Sequence, residues 1–238
     1  MKKKVLVLGA CGNIGPFLTP GLAPHYDLTL ADIRPHPDGL PVQRVDVSDY
    51  SQVHAAMAGM DAVINLTVLR DDPAQSFAVN TRGMYHLMRA AVEHGIKRII
   101  HTGPQSARYW FDHDFGIDDI PEMPGTGYYM LTKYLSLEIA RTWSRTHGIQ
   151  TLCFLFNGLG PSPTSPIRGE DFPPFTVVWE DLQHACRLAL EVESVPDNFQ
   201  CFNLHSYLGQ GKYLMDKATR LLGHRPVAAW ADYYRRLP

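Results

Sequence analysis

Val5-Leu6-Val7-Leu8-Gly9-Ala10-Cys11-Gly12-Asn13-Ile14-Gly15 lies near the start of the chain. Four apolar residues ending at a glycine read as a parallel strand buried on both faces. Glycines at 9, 12 and 15 follow, and a helix signal comes next. A glycine turn between strand and helix meets three needs: a tight reversal, close backbone approach to a pyrophosphate, and a helix seated near its strand. Free N–H groups and the positive end of the helix attract the phosphates. The expected ligand is therefore a dinucleotide. Pro16 suits a first helical turn, whereas Pro20 predicts a short or kinked helix.

Working outward, strand and helix signals alternate. Asp27 to Ala31 reads as a second strand ending at Asp32, about where an acidic residue bonds an adenosine ribose. A carboxylate there favours NAD over NADP, and Arg34 nearby softens that preference. A loop rich in proline follows, then a brief strand at Gln43-Arg44-Val45 running into Asp46. Ser48 is the expected cap of the next helix. Asp61 to Leu66 is a fourth strand, and Phe77 to His94 carries apolar residues at helical spacing, closed by Gly95. Arg98 to His101 is a fifth strand, Tyr129 to His147 a long helix closed by Gly148, and Thr151 to Phe156 a sixth strand. Such alternation predicts an α/β fold, a Rossmann-type doubly wound parallel sheet with helices on both faces. The composition shifts at Asn157, after which come a proline-rich stretch, a helix from Asp181 to Val192, a strand around Phe199 to Leu204 and a helix from Gly211 to Leu222. The expected organisation is a dinucleotide-binding core over 1–157 and a small substrate-binding annex over 158–238, packed as one compact unit.

The chain has 238 residues, 45% of them hydrophobic, and a formal net charge of -2, enough apolar material for a sizeable core. Only Lys2 to Lys4 form a charge run, so nucleic acid and anionic membranes are not expected partners. No apolar run approaches the roughly 20 residues of a membrane span. Four cysteines, Cys11, Cys153, Cys186 and Cys201, lack metal-site spacing. A reducing cytoplasm is the expected compartment.

Further motifs carry a resemblance. Asp61 to Thr67, Asp71-Asp72-Pro73, Asn80, Gly83, Ala90-Ala91 and Gly95 to Ile100 resemble the middle of the extended short-chain dehydrogenase/reductase family. Tyr129-Met130-Leu131-Thr132-Lys133 is its Tyr-x-x-x-Lys motif. Asn157 to Pro161, Glu180-Asp181-Leu182 and Phe202-Asn203-Leu204 resemble its later segments, so the likeness spans nearly the whole chain. It implies NAD contacts at Gly9, Gly12, Asn13, Ile14, Gly15, Asp32, Arg34, Asp46, Val47, Leu66, Thr67, Asn80 and Lys133. It also implies a homodimer through the helices near Phe77 and Tyr129.

Tyrosine and lysine four apart share one helix face. A nearby ammonium and a positive nicotinamide favour phenolate, which makes Tyr129 an acid/base. The family completes its site with a hydroxyl after the fifth strand, but here that stretch reads His101-Thr102-Gly103-Pro104-Gln105-Ser106, with proline at the hydroxyl position. Ser106 is the first candidate replacement and Thr102 the second, while Gln105 offers an amide to polarise a carbonyl. Tyr109, Trp110, His113, Asn157 and Arg168 are candidate substrate contacts. His113, between Asp112 and Asp114, is read as a loop histidine, and no metal is expected. The small annex suggests a small substrate, and uronate dehydrogenase-like members are the nearest analogy. The expected activity is NAD-dependent oxidation or reduction of a sugar-like alcohol or carbonyl. Two alternatives stand beside it: an epimerase or dehydratase with transient redox, and a regulatory nicotinamide-binding protein without chemistry.

Overall fold

The computed structural model describes residues 1–104, 115–118, 125–165, 167–168, 175–228, 230 and 234–235. Gln105, Ser106, Tyr109, Trp110 and His113 lie outside the described residues, and for Arg168 only the backbone is described. In chain order the elements are β1 (Lys4–Leu8), α1 (Gly15–Leu22), β2 (Asp27–Asp32), β3 (Gln43–Arg44), α2 (Tyr50–Met57), β4 (Ala62–Asn65), α3 (Pro73–Ser76), a π-helical turn (Phe77–Arg82) and α4 (Gly83–His94). Then follow β5 (Arg98–Pro104), α5 (Tyr128–His147), β6 (Gln150–Phe156), β7 (Gly158–Gly160), β8 (Ile167–Arg168), β9 (Thr176–Val178), α6 (Trp179–Glu191), β10 (Phe199–Asn203), α7 (Asp216–Leu222) and β11 (Tyr234–Arg235).

Seven strands form one parallel sheet in the order β10-β6-β5-β4-β1-β2-β3. The expected doubly wound sheet is therefore present. The chain winds outward from β1 through β2 to β3, then returns to place β4 on the other side of β1. That reversal opens a crevice at the carboxyl ends of β1 and β4, where ligands of such sheets sit. Strand residues alternate between two cores. Val5, Val7, Ile64, Ile100 and Phe154 pack with Leu18 and Leu22 of α1 and Leu182 of α6. Leu6, Leu8, Val63, Ile99 and Cys153 pack with α2, α4 and α5 on the other face. Burial on both faces explains why these strands read as continuous apolar runs.

Several local expectations change. Asp49, not Ser48, caps α2, its carboxylate accepting from the Ser51 and Gln52 amides. Ser48 instead donates to Asp46 through both its amide and its hydroxyl. The helix expected from Phe77 begins at Pro73, where Asp72 accepts from the Gln75 amide, and it passes through a π-helical turn before α4. The last helix starts at Asp216 rather than Gly211, because Gly211 has φ +66° and cannot continue a right-handed helix. Pro20 lies inside α1, which is only eight residues long. Gly95 closes α4 in the left-handed region as expected, with the Ile96 amide donating back to Ala91 and burying Ile96. Beyond residue 157, β10 joins the main sheet and α6 packs on α1.

Candidate functional site

The loops after β1 and β4 meet at the crevice. Gly9 has φ +77°, and a Cβ there would come within 2.9 Å of the Leu66 carbonyl carbon and the Thr67 amide nitrogen. Its glycine lets the two loops touch. A Cβ on Gly15 would lie 2.0 Å from the Ala10 carbonyl oxygen, so Gly15 seats α1 against β1. Gly12 differs: a Cβ there would meet the Gly9 carbonyl at 3.3 Å and Arg34 at 3.5 Å. No side chain caps α1, whose N-cap is Ile14. The loop thus presents an uncapped helix start of the kind that receives a pyrophosphate.

Asp32, at the end of β2, is buried. One carboxylate oxygen accepts from the Cys11 amide at 2.9 Å and the other from the Arg34 amide at 3.0 Å. Each oxygen keeps a lone pair for a ribose hydroxyl. Arg34 Nε stands 3.7 Å from the same carboxylate, mostly in solvent. Asp46 turns the chain by accepting from Ser48, and buried Val47 packs beside Gly83, where a Cβ would come within 2.9 Å of it. This uncapped helix start, Gly12 and the fixed Asp32 carboxylate fit a dinucleotide.

A cavity of about 380 Å³ continues from that loop. Asn13, Ile14 and Leu66 line it together with Thr102, Pro104, Tyr129, Lys133 and Asn157. The Tyr-x-x-x-Lys pair, Thr102 and Asn157 are therefore brought together with the glycine loop. Pro104 lines the same cavity. Thr67 is near by, its amide and hydroxyl both donating to Asn65 Oδ1 at 3.1 and 2.7 Å.

Asn80, a cofactor contact that the resemblance implies, is bonded to its own chain in this structure. It is not among the cavity's lining. Its side-chain oxygen accepts from the Leu69 amide at 2.9 Å, and its nitrogen donates to the Leu69 carbonyl and to Thr132 Oγ1 at 2.8 and 2.9 Å. With those groups already bonded, Asn80 ties the loop after β4 to α5.

A proton-ordered chain of buried side chains ends at Lys133, a residue of the cavity lining. Ser136 Oγ lies 2.7 Å from the Lys133 carbonyl, which only accepts, so the serine proton points there. His101 Nε2, 3.1 Å from the same Oγ, must then donate, and His101 Nδ1 accepts from Asn65 Nδ2 at 3.3 Å. Asn65 Oδ1 receives Thr67, which completes the order Thr67 to Asn65 to His101 to Ser136 to Lys133. Burial, with Lys133 adding to it, holds His101 far below the usual histidine range, so it stays neutral.

The electrostatics bring in a further cation. The Lys133 ammonium is pulled down to about 8, chiefly by burial, with Cys153 opposing the shift and Arg70 adding to it. Burial raises the Tyr129 phenol, and the cation that pulls it back is Arg70. The guanidinium carbon of Arg70 stands 5.1 Å from the Tyr129 ring centroid. Arg70 thus stands over the ring as a second cation beside the expected Lys133. Sequence reasoning passed over Arg70, His101, Thr132 and Ser136. The available signals were an arginine just past the carboxyl end of β4 and a lone histidine in the apolar run of β5.

Residues 5–176 match the profile of the NAD dependent epimerase/dehydratase family. The chain is 30% identical over 168 residues to uronate dehydrogenase of Pseudomonas putida, a match covering 67% of this chain and 62% of that protein. It spans about three-fifths of that relative's length. The chain is also 23% identical over 248 positions to L-arabinose 1-dehydrogenase (NAD(P)(+)) of Haloferax volcanii, covering 94% and 96%. Among solved structures, a mutated uronate dehydrogenase superposes with TM-score 0.82 at 20% identity, covering 97% of this chain and 84% of that one. A mutant uronate dehydrogenase from Agrobacterium tumefaciens complexed with NAD gives TM-score 0.81 at 21% identity, covering 96% and 86%. At such identities the structural likeness concerns the fold.

Proposed function

The chain belongs to the NAD dependent epimerase/dehydratase family, and from that premise we propose that it is an NAD-dependent oxidoreductase acting on a small sugar-like alcohol or carbonyl. One observation carries the reading: Tyr129 and Lys133 line a single cavity with Asn13, Ile14 and Leu66 from the loops after β1 and β4. The loop of Gly9, Gly12 and Gly15 would hold the pyrophosphate, Asp32 the adenosine ribose, and Lys133 the nicotinamide ribose. Asp46, Val47, Leu66 and Thr67 would border the adenine and the nicotinamide side. Bound NAD would supply a hydride acceptor at this place. In the oxidising direction Tyr129 Oη takes the substrate hydroxyl proton, and in the reducing direction it returns it. The hydroxyl that orients the substrate oxygen comes from Thr102 or from Ser106, with Gln105, Asn157 and Arg168 as further contacts.

The charged lining among the described residues is Arg70 and Lys133, with no carboxylate. That favours an anionic sugar, so uronic acids head the test panel. The proposed assembly is a homodimer across α4 and α5, where Tyr85 is exposed and meets Trp143 edge-on. The four free, buried cysteines fit a reducing, cytoplasmic setting.

The test is to incubate the protein with NAD, and separately with NADP, against uronic acids, aldoses and sugar alcohols while following reduced nicotinamide. Turnover that prefers NAD and is lost in Tyr129→Phe is the expected result. The breadth of the family favours a second reading, an epimerase or dehydratase; it predicts isomerised or dehydrated product with no net reduced cofactor. Pro104 on the cavity wall, which offers no side-chain hydrogen bond, favours a third, a regulatory protein. It predicts NAD binding without product of either kind.

A further inference from the structure

Arg70 stands on a strap that is tied down at both of its peptide units. The Leu69 amide donates to Asn80, and the Leu69 carbonyl accepts from Asn80 Nδ2 and from Ser76 Oγ at 3.0 Å. The Arg70 carbonyl accepts from Tyr128 Oη at 2.8 Å. Four bonds on two residues fix the backbone from which the guanidinium reaches over the Tyr129 ring. They come from the π-helical turn, from α3 and from the first residue of α5, so three neighbouring elements aim one exposed side chain. None of the ion pairs among the described residues uses Arg70.

A cation over a tyrosine face is attracted by the ring quadrupole. It is attracted more strongly by phenolate, whose charge spreads from oxygen into the ring beneath. The difference between the two attractions favours ionisation. Lys133 is poorly suited to hold that role across a wide pH range, because burial brings its own proton off near 8. Guanidinium keeps its charge well above that. The two cations of the cavity thus divide the work: the buried ammonium faces the site of the nicotinamide ribose, and the strapped guanidinium faces the phenol.

We propose that Arg70 is the standing cationic partner of Tyr129, clamped over the ring so that the phenolate is stabilised at every pH at which the protein works. The proposal rests on the reading of Tyr129 as the acid/base group, and its test needs no substrate.

The phenolate of Tyr129 is titrated by ultraviolet difference absorbance on NAD-saturated protein, subtracting Tyr129→Phe in each background. Arg70→Gln should move the midpoint up by about one pH unit, a modest effect because the guanidinium is partly in solvent. Arg70→Lys should recover most of it. In the unaltered protein, raising the salt concentration should also move the midpoint up, and Arg70→Gln should lose that salt response. A midpoint in Arg70→Gln that matches the unaltered protein, or an unaltered protein with no salt response, overturns the proposal. Net NAD reduction across the sugar panel together with an unmoved midpoint removes Arg70 alone. A moved midpoint without turnover removes the dehydrogenase reading and leaves the Arg70 pairing in place.

Discussion

A Cβ built on Gly15 would lie 2.0 Å from the Ala10 carbonyl oxygen, whereas one on Gly12 finds its nearest backbone atom at 3.3 Å. The same three-glycine turn therefore contains residues with different duties. Gly9 and Gly15 are needed by the fold itself, for loop contact and for helix seating, and Gly12 is the glycine of the three with the most room. Gly15→Ala should cost about 3 kcal/mol or more, since backbone rather than a flexible side chain must move. Gly12→Ala, whose methyl would meet the Gly9 carbonyl at 3.3 Å, should lose much less stability than Gly15→Ala yet weaken NAD binding about tenfold, as an added methyl intrudes on the proposed pyrophosphate site. Denaturant unfolding and NAD titration on the two variants check both halves; equal losses of stability would overturn the division. The hydrogen-bond order through His101 is likewise set by single residues. It follows from proton counting at Ser136 and assigns the histidine its Nε2-protonated form.

At the scale of elements, the π-helical turn between α3 and α4 has an identifiable task. Its Asn80 is buried and supplies both an acceptor and a donor to Leu69 while holding Thr132 of α5. Such turns gather at functional sites because the wide turn re-aims side chains that a regular helix would direct elsewhere. Asn80→Leu fills the space without the bonds and leaves the Leu69 amide unpaired. A loss of about 2 kcal/mol is expected in urea unfolding. The strap under Arg70 should loosen with it, so the Tyr129 phenolate midpoint should also rise. A variant as stable as the parent would show that the clamp contributes nothing. The helical periodicity from Phe77 onward was legible in the sequence. The π-helical turn was not, because one residue of extra width barely disturbs an apolar pattern.

For the molecule as a whole, three buried histidines link folding to acid. His205 and His224 are held at about 4 by burial, and His101 lies far below the usual range for the same reason. Unfolded histidine titrates near 6.5, so between pH 6.5 and 4 the unfolded chain binds more protons than the native one. Stability therefore falls as pH drops through that window. His205 and His224 should each remove about 3 kcal/mol across it, at 1.36 kcal/mol per pH unit. Urea midpoints measured from pH 7 to pH 4 should decline with a slope that Phe in place of His205 reduces. A flat profile would mean these rings are protonated in the native state.

The strand, glycine turn and helix at the start of the chain were determined by sequence alone. So were the order of alternating elements, the glycine stops of α4 and α5, and the pairing of Tyr129 with Lys133 on one helix face. All of these depend on residues within a few positions of one another, where backbone geometry and apolar period leave a local mark. Even at short range the reading failed where two neighbours competed, as Ser48 and Asp49 did for the cap of α2. Tertiary structure alone decided the rest. Tyr128 reaches Arg70 across 58 residues, Asn80 reaches Thr132 across 52, and Asn65 and Ser136 meet His101 across 36 and 35. None of these distances is written in any local pattern; each exists because the parallel sheet sets β4, β5 and α5 side by side. The sheet gathers the carboxyl ends of β1, β4 and β5 at one crevice, so residues that look unrelated along the chain share one electrostatic environment.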